Sequence, residues 1–309
     1  MARSEKLWLM AVLLACAMGW GISIPMGKIA VSEDYRHIGI IFWQFVIGAA
    51  VLGAINGLRG RGLPVTPRAL RFYVIIALIG TLLPNTASYT AAIHLPGGIL
   101  ALCIATVPMI AFPIALAWGN DRFSALRFAG LCLGLVAMAM IALPDTSLPD
   151  RAVLVWLPVG LVAPAFYAFE GNFVARHQPQ ELDAVQVLFG ASLVGIVMAF
   201  PLAIWSGEWI SPLPPYGMPD LAVVVSSTSH ALSYAGYVWL VGRGGPVFAV
   251  QISYLVTGFS VGWSWLLLGE RYSIWVWAAF AVMLAGVALV QPRPKQPLAA
   301  GRALGDDGG

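Results

Sequence analysis

The stretch SSTSHALSYAGY, residues 226–237, decides how this chain is read, and TLLPNTASY, residues 81–89, carries the same pattern 149 positions earlier. In the later stretch Ser226, Ser229, His230, Ser233, Tyr234 and Tyr237 recur at steps of three and four, which places them on one face of an α-helix. In the earlier one Thr81, Asn85, Ser88 and Tyr89 do the same. Thr81, Asn85 and Ser88 fall on His230, Tyr234 and Tyr237 after the 149-residue shift. Both stripes lie inside apolar runs. Unpaired polar groups in hydrocarbon cost several kcal/mol each, so such stripes line helix interfaces or water-filled paths. A single stripe reads equally well as hydrogen-bonding glue between helices. Two in register point to a shared cavity.

Outward from the stripes the chain is almost as apolar. Hydrophobic residues make up 60% of its 309 residues and charged residues 10%, against roughly 25% charged in soluble domains. This composition predicts an all-α integral membrane protein. Apolar segments at 7–28, 38–58, 71–94, 97–118, 125–143, 152–175, 184–205, 219–241, 246–268 and 273–291 give ten transmembrane helices. The short loops leave no room for an enzymatic or nucleic-acid-binding domain, so the expected partners are the lipid bilayer and a small molecule.

Arg59, Arg61, Arg68 and Arg71 cluster in the second loop, whereas the first holds Glu33 and Asp34 and the fifth Asp145 and Asp150. The positive-inside rule then puts both termini in the cytoplasm. Thirteen of the 17 Lys and Arg lie on that side, with Lys28, Arg36, Arg151 and Arg271 outside. Arg3 and Lys6 ahead of an apolar run imitate a secretory signal, but the run is long enough to span and is expected to be retained. Residues 206–219 form the longest external loop, and 292–309, rich in Pro, Gly and Asp, a disordered cytoplasmic tail. Cys16, Cys103 and Cys132 lie in apolar runs and read as small buried hydrophobes, with neither a disulfide framework nor metal-ligand spacing.

The duplication extends beyond the stripes. Asp121, Arg122 and Phe123 fall on Glu270, Arg271 and Tyr272, each triplet closing the turn between a fourth and a fifth helix. The chain therefore divides into two five-helix repeats, residues 1–147 and 148–291. Because five is odd, the second enters the membrane from the opposite side, as in many inverted-repeat transporters. With Trp20 and Gly21 in the first helix, Leu268 to Arg271 ending the ninth and the small-residue run Ala278 to Gly286 in the tenth, residues 7–291 resemble the drug/metabolite transporter superfamily. Within it they resemble the EamA-type ten-helix exporters, and the whole chain looks most like the bacterial exporters of aromatic and other neutral amino acids. The resemblance implies a bacterial inner (plasma) membrane protein with a central cavity formed by helices 1, 3, 4, 6, 8 and 9. Asn120 and Asp121 stand where a Gly-Glu pair is more usual.

The candidate cavity residues are Trp20, Thr81, Asn85, Ser88, Tyr89, Tyr167, Glu170, His230, Ser233, Tyr234, Tyr237, Gln251 and Tyr254. Tyr and Trp offer a flat apolar face and a polar edge, suited to a zwitterion with an aromatic or aliphatic side chain. Trp205, Trp209, Trp263, Trp265, Trp275 and Trp277 read instead as an interfacial belt. Gln251 and Tyr254 read nearly as well as buried polar packing. Glu170 is the only acid well inside an apolar segment, Asp220 standing at the edge of the 219–241 one. In a cavity it would take a proton or attract an ammonium group, but Arg176, about 9 Å further along a helix, argues for a place near the cytoplasmic rim. His230 is expected to be neutral and hydrogen-bonded, and His94 to have a loop-side structural role.

Pro25, Pro84, Pro108 and Pro164, with Pro113 and Pro158 beside them, fall in or near the first, third, fourth and sixth helices. Interior prolines remove a backbone bond and favour kinks, so these are read as gates. Gly130, Gly134 and Ala137, and Ala278, Ala281 and Ala285, offer small faces for close contact between the halves or in a homodimer.

These readings converge on export of amino acids, aromatic ones included, by alternating access, with no metal and no cofactor. No nucleophile elbow, zinc motif or phosphate-binding loop supports an enzyme. The alternative is efflux of drugs or other small metabolites. Hydrophobic cations would favour a cavity acid, whereas this lining is mostly neutral.

Overall fold

The computed structural model describes residues 3–32, 35–95, 97–142, 155–269 and 274–289, and every regular element among them is helical. The Glu270–Tyr272 turn, the 292–309 tail and the 147/148 boundary lie outside the described residues. Among the described residues six helical spans are long and apolar enough to cross a membrane: Arg3–Val31, His37–Leu58, Pro67–His94, Leu157–His177, Ala184–Trp205 and Val247–Leu268. Shorter apolar helices cover Cys103–Ala117 and Ala125–Ala137.

Several spans are interrupted. The first is made of α1 (Arg3–Gly21) and α2 (Ser23–Ser32), meeting at Ile22. After α3 (His37–Leu58), α4 (Pro67–Ile76) runs through a π-helical segment, Ala77–Leu82, into α5 (Leu83–His94). Pro84 explains the wide turn: it lacks the N–H that would bond the Gly80 carbonyl, and its ring needs the room. Next, α6 (Gly97–Ala105) breaks at Thr106 into α7 (Val107–Ala117), where Pro108 removes another donor and the Thr106 hydroxyl donates to the Cys103 carbonyl at 2.7 Å.

Beyond α8 (Ala125–Ala142) come three long helices, α9 (Leu157–His177), α10 (Ala184–Trp205) and α11 (Met218–Gly244). Pro164 sits inside α9 without ending it. The short α12 (Pro246–Ala249) then breaks from α13 (Ile252–Leu268) at Val250 and Gln251, where N–H groups bond carbonyls three residues back. Gly269, at φ +66°, closes α13 in a left-handed conformation that favours glycine. The last element is α14 (Ile274–Leu289).

Packing has an exchange symmetry. α2 lies on α11 as α5 lies on α9, α1 on α13 as α7 on α9, and α3 on α11 as α4 on α10. The flanking pairs are α3 with α10 and α8 with α14. In the second of these a Cβ at Gly286 would lie 2.7 Å from the Gly130 carbonyl oxygen, so the backbones meet through glycine. Gly130, Gly134 and Ala137 are buried, as are Ala279 and Gly286 of α14, whereas Ala281 and Ala285 are exposed. One other expectation is corrected: Cys132 is exposed. Trp209 is exposed while resting on Phe42 and Trp43, and the Trp263 indole donates to the Met18 carbonyl.

The α3–α10 pair is tied at both ends. Asp183 caps α10, accepting from the Gln186 N–H at 3.0 Å, while its other oxygen accepts from Arg59 at 2.6 Å and Arg61 at 2.9 Å. At the opposite end Glu208 accepts from the Ile38 N–H at 2.8 Å. Burial pushes the Asp183 carboxyl up, but the Arg59 hydrogen bond, the Gln186 N–H and the two arginine charges outweigh it and hold the group below its ordinary value. Asp183→Ala is expected to cost about 1–2 kcal/mol through loss of the cap, read as a lowered thermal midpoint. Because the folded carboxyl is the stronger acid, this contribution is present near neutral pH and fades as the pH falls through the carboxylate range. Equal midpoints for variant and parent near neutral pH would rule the cap out.

Candidate substrate cavity

The interrupted spans surround one cavity. From α1 and α2 it takes Trp20, Ser23, Ile24, Gly27 and Lys28; from α5, Asn85, Ser88 and Tyr89; from α9, Tyr167 and Glu170; from α11, His230 and Tyr237. Leu100, Ile104, Val107, Val250 and Val256 supply an apolar side. The space open to the centre of a water molecule is about 110 Å³, several times what one water needs.

Trp20 is the centre of the aromatic wall. Its indole N–H donates to His230 Nδ1 at 2.9 Å. Its ring stacks on Tyr234 at 5.8 Å between centroids and meets Tyr237 edge-on at 5.9 Å. Since Nδ1 accepts, the neutral imidazole carries its proton on Nε2, a buried atom with no partner among the described residues. Across the cavity the Tyr167 hydroxyl donates to Asn85 Oδ1 at 2.8 Å, and Asn85 Nδ2 donates to Gln44 Oε1 at 2.9 Å. This chain fixes α9, α5 and α3 relative to one another.

Glu170 is the charged group the arrangement must accommodate. It is 1% exposed, and neither its Oε1 nor the Tyr234 hydroxyl has a hydrogen-bond partner among the described residues. Both converge on the Cβ-less side of Gly80 in the π-helical segment, where a Cβ would collide with each of them. Gly171 admits the Tyr237 hydroxyl in the same way. Burying an isolated carboxylate is costly, so a group in this position is stabilised by a proton or a cation.

The expected residues separate into two groups. Trp20, Asn85, Ser88, Tyr89, Tyr167, Glu170, His230 and Tyr237 come together on the cavity. Thr81 and Tyr234 line a smaller one, about 20 Å³, on the Gln44 and Ser227 side of His230. Ser233 faces Gly19. Gln251 and Tyr254 are displaced from the cavity: the Gln251 amide donates to the Val247 carbonyl, and the Tyr254 ring covers Gly134. Glu170 is buried on the cavity wall, and Arg176, six residues on, donates to the Trp118 carbonyl. His94 stacks on Trp156 outside the cavity, with ring centroids 3.7 Å apart.

Sequence reading passed over Lys28, Ser23, Gln44 and Ser253. Lys28 follows Trp20 by eight residues, two turns along one face. Its charge and its place near the end of the first apolar segment made it read as a loop residue, whereas α2 continues to Ser32.

A model of the EamA-like transporter family matches residues 6–143 and 154–291. The chain is similar to YedA of Escherichia coli strain K12, described as an uncharacterized inner membrane transporter, with 24% identity over 290 residues that cover 93% of this chain and 91% of that one. YedA of E. coli O157:H7 shows the same identity and coverage. A solved crystal structure shares the fold, with a TM-score of 0.67 at 19% identity over 89% of this chain and 97% of that one.

Proposed function

The chain belongs to the EamA-like transporter family, and from that premise we propose that it exports aromatic and other neutral amino acids across the inner membrane. The observation that carries this reading is the composition of the cavity, in which Trp20, Tyr89, Tyr167 and Tyr237 surround one buried carboxylate, Glu170. Aromatic faces hold the substrate's side chain, and Glu170 holds its ammonium group or, in the empty carrier, a proton.

Alternating access follows from two inverted five-helix repeats, residues 1–147 and 148–291, each with five membrane helices and both termini cytoplasmic. Two family matches in tandem and the exchange symmetry of the packing support that arrangement. The helix interruptions near Pro25, Pro84 and Pro108 supply places where the spans bend, and Pro164, inside the continuous α9, removes a backbone donor there.

The test is uptake of radiolabelled phenylalanine, tyrosine, tryptophan, methionine and threonine by proteoliposomes, compared with empty liposomes. Saturable, protein-dependent uptake of an aromatic member is expected. Folded, reconstituted protein that moves none of the five would overturn the reading in favour of drug or other metabolite efflux.

A further inference from the structure

Arg68, Arg71, Phe72 and Ile75 recur at steps of three and four, on one face of α4. All four line a second, open groove, with His177 at the end of α9 and Pro179 just beyond it. The groove has a volume of about 470 Å³. Here α4 packs on α10, whereas α5, which continues its span, packs on α9. Phe72 stacks on Phe173 with centroids 5.6 Å apart, and Phe173 stacks on His177 at 4.7 Å. This ladder joins the two helices and fixes the His177 ring. The charge at the start of α4 is unbalanced. Thr66 caps the helix by accepting from the Ala69 N–H, but the first turn carries no acid. Arg68 and Arg71 thus stand near the positive end of the helix dipole, where cations are disfavoured and anions favoured. Both are exposed, and neither makes a hydrogen bond or ion pair among the described residues. Asp183 is taken by Arg59 and Arg61, and the exposed Glu181 does not line the groove.

We propose that this groove binds an anionic phospholipid, with its phosphate on Arg68 and Arg71 and an acyl chain along Phe72 and Ile75. The proposal goes beyond the transport reading and does not depend on the substrate. Guanidinium forks match the oxygens of a phosphate. Position selects the lipid over a soluble anion. Arg68 and Arg71 stand in the first two turns of the apolar span Pro67–His94, and His177 ends the span Leu157–His177, which is the level of phospholipid headgroups. Leu70 and Val74 on α4 and Phe169 on α9 are exposed, so both helices present apolar surface to lipid. Ile75 lies about 10 Å further along α4 than Arg68, where the first methylenes of a chain would run. A soluble anion would satisfy the arginines and leave Phe72 and Ile75 uncovered.

The experiment is titration of the detergent-solubilised full-length protein with phosphatidylglycerol or phosphatidylcholine, read by native mass spectrometry. The parent protein is expected to bind phosphatidylglycerol at least about tenfold more tightly, the effect of one charge-assisted hydrogen bond. The double variant Arg68→Gln, Arg71→Gln is expected to lose that preference. Arg71→Gln alone is expected to lose part of it, and it carries the test if the double variant does not fold. Arg36→Gln, which removes the same charge elsewhere on the surface, is expected to keep it. Equal binding of the two lipids by the parent protein overturns the proposal, as does an unchanged preference in the folded arginine variants or an equal loss in Arg36→Gln. Displacement of phosphatidylglycerol by an equal concentration of inorganic phosphate would assign the groove to a soluble anion and overturn the lipid.

Discussion

Trp20→Ala is expected to lower amino-acid uptake at subsaturating substrate by at least about thirtyfold, the effect of removing an aromatic anchor worth 2 kcal/mol. Trp20 alone touches His230, Tyr234 and Tyr237, by a 2.9 Å hydrogen bond and two ring contacts. Its removal strips the flat face from the cavity and leaves His230 Nδ1 without its donor. Trp20→Phe separates these contributions, because it keeps a ring and loses only the N–H. Loss of one hydrogen bond, about 1 kcal/mol, predicts roughly a fivefold decrease for that variant. Thermal midpoints and elution profiles distinguish a transport defect from misfolding. Parent-like uptake by a folded Trp20→Ala protein would remove the aromatic wall from the mechanism.

Much of the architecture was legible because hydropathy registers it directly. Apolar runs of the right length can satisfy their backbone only as helices in lipid, and helical periodicity places Asn85 and Ser88 on one side and His230 and Tyr237 on another. Prolines marked the interruptions for a local reason, a missing donor at Pro84 and Pro108. The break at Val250 and Gln251 has no proline at it and left no such mark.

Site details were harder because they depend on which way a residue faces, and a sequence gives the spacing of a face but not its azimuth. Gln251 and Tyr254 have the right spacing and turn toward Val247 and Gly134 instead. Arg176 is a poor guide to the depth of Glu170, because its long side chain reaches the Trp118 carbonyl while the carboxylate six positions earlier is buried on the cavity wall. Gln44 was hidden because one amide in a long apolar helix has no periodic partner. Its meaning appears only when Asn85 arrives from α5 to donate to it.

Glu170→Gln is expected to abolish the response of uptake to an imposed pH gradient while leaving downhill exchange of substrate measurable. The carboxylate lies in the cavity, is 1% exposed and has an oxygen without a partner among the described residues. It therefore needs a positive partner whenever it is ionised. The titratable and charged groups around it are Tyr89 from α5, Tyr167 from its own helix, His230, Tyr234 and Tyr237 from α11, and Lys28 across the cavity. Of these Lys28 is the basic side chain, and its ammonium donates to the Leu95 carbonyl at 3.4 Å. In the proposed reading a substrate ammonium and a proton are alternatives at this carboxylate, and exchange of the two would couple export to proton entry. The sign follows: an acid vesicle lumen drives protons outward, so uptake should accelerate with lumen pH below bath pH and slow when the gradient is reversed. Glutamine keeps the shape and loses the exchangeable proton, so both responses should vanish together. An unchanged response in Glu170→Gln would remove the carboxylate from coupling and put the proton site on another group, whereas no response in the parent protein itself would leave the substrate gradient as the energy source for export.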